Sequence, residues 1–122
     1  MFRVLMPAAV LLLAGCGSDQ PLPMATTAEK ARPAIEAALN AWKDGKTPDD
    51  LQKQSPAVYL LDADFKRGAK LANFTIDGDG RPYGTGYRFD VTLQLDGGKA
   101  GGKKLAYRVV TDPTVSISRE DD

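Results

Sequence analysis

The residues best placed to do chemistry are paired carboxylates: Asp62 with Asp64 at strand spacing, and Asp90 with Asp96 along one polar strand face. Such a pair does acid–base work when its surroundings hold one member protonated and the other ionised. Both pairs are expected in solvated settings that separate nothing, so no catalytic residue is assigned to them. Arg88, Asp90 and Arg108 are read as an exposed cross-strand ion-pair ladder. Gly97-Gly98-Lys99-Ala100-Gly101-Gly102-Lys103 fits the spacing of a phosphate-cradling loop, but Lys104 stands where a magnesium-holding Ser or Thr is required. A strand is also expected after that loop, where a helix N-terminus would be needed; a glycine-rich hairpin loop is the reading. Asp77-Gly78-Asp79-Gly80 starts like a calcium loop, then places Arg81, Pro82 and Arg88 at positions that require oxygen ligands or glycine. It is read as a turn.

The chain of 122 residues has no histidine and one cysteine, Cys16. Histidine-based triads, bases and metal sites are therefore excluded. An intramolecular disulfide is excluded as well. Ser55, Ser116 and Ser118 have no base to activate them, and no Ser-x-x-Lys arrangement replaces one. The expectation is of no cofactor, no metal and no enzyme. Asn73-Phe74-Thr75 matches a glycosylation sequon without further meaning on an expected strand. Trp42, Tyr59, Tyr83, Tyr87 and Tyr107 are expected to pack.

Cys16 closes the segment MFRVLMPAAVLLLAGC. Arg3 supplies a positive start, and Val4 to Ala14 form an apolar run interrupted by Pro7, well short of the ~20 residues that span a bilayer. The run ends in Leu13-Ala14-Gly15-Cys16, which resembles the lipobox of bacterial lipoproteins. The small residues let an extended backbone enter a peptidase cleft, and the thiol takes up a diacylglyceryl group. The resemblance implies a signal peptide over 1–15, cleavage between Gly15 and Cys16, and lipid attachment at Cys16, with acylation (such as palmitate) of the freed amine. Two or more chains give stable anchoring at ~0.8 kcal/mol per buried methylene. Gly17, rather than Asp, directly after the cysteine implies the outer membrane where the host has one.

Residues 16–25 carry Gly, Ser and prolines without apolar periodicity and read as a flexible tether. The rest, 26–122, is long enough for one domain. Sixteen basic residues balance sixteen acidic ones, and removing 1–15 takes away only Arg3. Such a balance supplies no electrostatic ground for nucleic-acid binding, and none is expected.

Thr26-Thr27-Ala28-Glu29 has the form of a capping box, so a helix is expected from about residue 26. Ala31, Ile35, Ala38, Leu39 and Trp42 then share one helical face. Pro33 is expected to kink this helix or delay its start, and Gly45 to end it. Thr47-Pro48-Asp49-Asp50 starts a short second helix reaching about Gln54. From residue 57 the period becomes two. Tyr87, Phe89, Val91, Leu93 and Leu95 alternate with polar residues, and Leu105/Tyr107/Val109, Val115/Ile117, Ala72/Phe74/Ile76 and Ala57–Leu61 repeat the pattern. Sequential strands with short links favour an antiparallel meander.

The expected fold class is α+β: an N-terminal helix, plus a short second one, packed on an antiparallel four- to five-stranded meander. Its layout resembles the cystatin-like and NTF2-like architectures, although the Gln-x-Val-x-Gly loop of inhibitory cystatins is absent. The expected function is that of a small non-catalytic, lipid-anchored cell-envelope protein. Its membrane partner is reached through the N-terminal lipid, and its domain serves as a binding or assembly module. An envelope protein partner is expected at a sheet edge such as Thr114 to Arg119. The alternative is a ligand-binding or enzymatic pocket between helix and concave sheet; a purely structural role linking envelope layers is a third reading.

Overall fold

The computed structural model describes residues 25–120. Helix α1 spans Ala28–Lys43, α2 Pro48–Gln52 and α3 Ala63–Lys66; the strands are β1 Val58–Leu61, β2 Leu71–Tyr83, β3 Gly86–Leu95, β4 Lys103–Val110 and β5 Val115–Glu120. The fold is α+β, with α1 packed on a five-stranded, mostly antiparallel open sheet.

Thr27, not Thr26, caps α1: its side chain accepts from the Lys30 N–H. Thr26 is buried instead, donating its N–H to the Thr85 carbonyl and accepting at Oγ1 from the Thr111 N–H. The helix starts before Pro33 and continues past it, with Pro33 on its exposed side. The lost donor thus leaves a carbonyl where water is at hand. At the other end the N–H groups of Asp44, Gly45 and Lys46 take up the carbonyls of Asn40, Trp42 and Ala41, closing the last turn. Thr47 and Asp50 form a reciprocal capping box at α2, and the helix ends at Gln52, short of Gln54.

Strands β2 to β5 follow the expected meander, but the sheet order is β1-β5-β4-β3-β2. Strand β1 pairs parallel to β5, Val58 opposite Val115 through Leu61 opposite Ser118. Its crossover carries α3 and the whole of β2–β4. Strand β5 is therefore interior, and the expected partner-binding edge at Thr114 to Arg119 is already taken by this chain: β4 covers one side and β1 the other. The sheet's edges are β1 and β2.

Asp77-Gly78-Asp79-Gly80 is not an interstrand turn either. It lies inside β2, where the register slips between Asp77 and Arg81 and both glycines take positive φ. This is a bulge, and Gly80 is needed there because a Cβ would come within 2.6 Å of the Phe89 ring. The true turn follows Tyr83.

One sheet face and the stripe of α1 make the core. Ile35, Leu39, Phe89, Val91, Leu93, Tyr107, Val109 and Ile117 are fully buried. These side chains pack between α1 and the sheet. The other face carries Arg88, Asp90, Arg108 and Ser118, and none of the three helices among the described residues belongs to it.

Candidate functional site

The fold has two poles. At one, Thr26 enters between Thr85 and the β4–β5 turn. At the other, α1 ends beside the loop joining α3 to β2, where Trp42 Nε1 donates to the Ala69 carbonyl at 2.8 Å. The carboxylates and cations that could do chemistry gather at this second pole.

Asp62 and Asp64 do not sit at strand spacing in water. The strand stops at Leu61, Asp62 caps α3 by accepting from the N–H groups of Asp64 (2.7 Å) and Phe65 (3.1 Å), and both carboxylates are buried. The other oxygen of Asp62 accepts a short hydrogen bond from the Tyr107 hydroxyl. Arg119, reaching in from the core face of β5, lies 3.5 Å from Asp62 and 2.9 Å from Asp64. Asp64 also takes Lys103 at 3.0 Å and both Nε and Nη2 of Arg67, at 3.0 and 2.8 Å. Burial works to raise the Asp64 carboxyl, but hydrogen bonds from Lys103, Arg67 and Arg119 outweigh it and hold the group at about 2. Burial, and then the Asp62 charge, push the Tyr107 hydroxyl well above its ordinary range. At neutral pH this centre therefore holds an ionised Asp64 and a protonated Tyr107. It gives up no proton readily and pins α3 to the sheet.

Beside it runs a groove of about 590 Å³ between the end of α1 and the α3–β2 loop. Trp42 and Phe65 form its floor, their rings 5.3 Å apart and tilted by 54°. Lys43, Lys46, Lys66, Arg67 and Lys70 line it, against Asp44 and Asp96. Arg67 is engaged by Asp64, whereas no ion pair within 4.0 Å is made by the four lysines among the described residues.

The open sheet face carries a second, shallower cup of about 510 Å³ over Ala106. Arg88 does not alternate with opposite charges in a ladder: Arg81 and Arg108 are its direct cross-strand neighbours, and Asp90 faces Asp77. Like charges oppose one another in both rows, which is unfavourable. Arg88 is eased by Glu120 at 3.8 Å and by stacking 5.3 Å from the Tyr83 ring centre, and its Nε is buried without a partner.

The remaining sequence candidates are scattered. Asp96 ends β3 at the groove while Asp90 lies mid-sheet, so these carboxylates form no pair. Gly97 to Gly102 link β3 to β4 as a hairpin loop. Ser55 precedes β1, and Ser116 and Ser118 alternate along β5. Asn73 and Thr75 lie on β2. Trp42 and Tyr107 are core residues, Tyr87 is partly buried against the core, and Tyr59 and Tyr83 are exposed. Gly15 and Cys16 lie outside the described residues. No group of His, Cys, Asp or Glu among the described residues is arranged to hold a metal ion.

The basic groove was missed because its cations come from two segments some twenty residues apart, each the end of a helix and the loop after it. A bias toward lysine in both, 43–46 and 66–70, was the available signal. Comparison with protein-family models, with curated proteins and with solved structures finds no match for this chain.

Proposed function

We propose that the chain is a small, non-catalytic, lipid-anchored protein of the cell envelope whose domain works as a binding or assembly module. The observation that supports this reading best is the burial of Thr26 close after Cys16. Thr26, with hydrogen bonds to Thr85 and Thr111, is buried ten residues beyond Cys16. A stretch of that length reaches at most about 35 Å when extended, enough to hold a domain close to a membrane surface with the Thr26 pole toward it. The second pole then faces away from the anchor.

Intact mass and detergent partitioning of the full chain and of Cys16→Ser, expressed in a bacterial host with globomycin as a control, test the anchor. A wild-type N-terminus at Cys16 bearing acyl mass, lost in the variant, is the expected result. An uncleaved or unlipidated wild type overturns it.

A further inference from the structure

The whole chain is charge-neutral, yet its charges are not evenly spread. Five of its sixteen basic residues line one groove at the pole opposite Thr26, where Asp44 and Asp96 are the acidic lining residues, Asp64 holds Arg67, and Asp50 interacts at longer range with Lys46. Elsewhere Arg32, Arg88, Lys103 and Arg119 find carboxylates, while the unpaired cations among the described residues, such as Lys30, Lys99 and Lys104, do not share one concavity. In the groove, Lys43, Lys46, Lys66 and Lys70 have none within ion-pair distance among the described residues. Like charges crowded around a concavity repel, and the cost is relieved when an anion enters.

We propose that this groove binds a compact ligand bearing two or more phosphate groups. Its volume of about 590 Å³ lies within the ~300–1,000 Å³ of small-ligand sites. The choice of phosphate follows from the kind of cation. A planar carboxylate is matched best by the guanidinium fork, and Arg67, the one guanidinium here, already holds Asp64 through two nitrogens. What remains is a ring of ammonium groups, point charges with rotatable donors, which reward charge density over planar shape. Phosphate groups supply more negative charge per group than carboxylates. The assignment deepens the binding-module reading and rests on it, but the groove itself does not depend on the lipid.

The chain's only tryptophan, Trp42, forms the groove floor, so ligand entry can be followed by its fluorescence. The full chain, in an uncharged detergent at low salt, is titrated with tripolyphosphate and separately with citrate, with calorimetry as a second readout. Saturable binding of tripolyphosphate, at least about tenfold tighter than citrate and weakened steeply by salt, is expected. Lys46→Gln/Lys70→Gln should lose roughly tenfold or more in affinity. Lys30→Gln/Lys104→Gln, which removes the same charge away from the groove, should bind as the wild type does. Equal loss in both double variants overturns the site. Citrate binding as tight as tripolyphosphate overturns the phosphate assignment, and silence in both readouts overturns the proposal. Because no step uses acylation, a failed titration of a correctly lipidated chain leaves the anchor standing, and binding by an unlipidated chain leaves the groove standing.

Discussion

Asp64 shows most clearly what one residue does here. Its carboxylate is buried and meets Lys103, Arg67 and Arg119, so removing it strands charges that were placed to meet it. Asp64→Ala should cost about 3 kcal/mol, read as a shift in the urea midpoint, because breaking a buried pair leaves its partners uncompensated. The same group sets part of the acid response. Its folded pKa of about 2 lies below the ordinary carboxylate range, so its contribution is complete above pH ~4 and is lost as pH falls toward 2. Accordingly, the stability gap between wild type and Asp64→Asn should be constant from pH 7 to 5 and should narrow between 4 and 2. A gap that widens on acidification would contradict this account. Nothing local in Leu61-Asp62-Ala63-Asp64 announced it: a four-residue helix has too few positions for a 3.6-residue period, and alternation of Asp with apolar residues imitates a strand. The partners that change its meaning lie 39 and 55 residues away.

At the scale of elements, periodicity proved readable in the long regular elements α1 and β3, but not through the bulge of β2. The α1 stripe of Ala31, Ile35, Ala38, Leu39 and Trp42 is buried as its spacing implies, and β3 alternates as read, since a half-buried strand must show its period. Short or irregular elements were less legible for a physical reason. Asp-Gly-Asp-Gly supplies the positive φ that both turns and bulges demand, so composition alone does not distinguish them. The distinction lies in Phe89, whose ring rests against Gly80. Gly80→Ala should therefore destabilise the domain by about 1–3 kcal/mol through strain and overpacking combined. Gly78→Ala has the same sign of φ but nothing within 4 Å of its Cβ and should cost less. Chemical denaturation of the two variants side by side checks the order; a larger loss at Gly78 would remove Phe89 from the explanation. Thr47→Ala, which breaks the α2 capping box, should cost about 1 kcal/mol.

For the molecule as a whole, the parallel pairing of β1 with β5 is the decisive connection. Strands adjacent in sequence usually neighbour one another, which is why a simple meander is the natural expectation. Here β1 instead pairs with the last strand and brackets everything between. The chain is thereby closed on itself: α2 and α3 are tied to β1, β1 has no sheet partner except β5 among the described residues, and Arg119 of β5 holds the Asp62–Asp64 centre. No part of the core can be released alone, because Trp42 of α1, Phe65 of α3, Leu60 of β1 and Ile117 of β5 all belong to one cluster. Urea unfolding of the full chain should accordingly be a single transition, with Trp42 fluorescence and far-UV circular dichroism reporting the same midpoint. Ending the chain at Val110 removes β5, leaves β1 unpaired, and opens the Asp62–Asp64 centre to water. Such a chain should lose the cooperative transition altogether rather than shift it. If it instead kept a sigmoidal Trp42 transition, α1 and β2–β4 would form a stable unit without the closure, and β1–β5 pairing would be an addition to the fold rather than the contact that completes it.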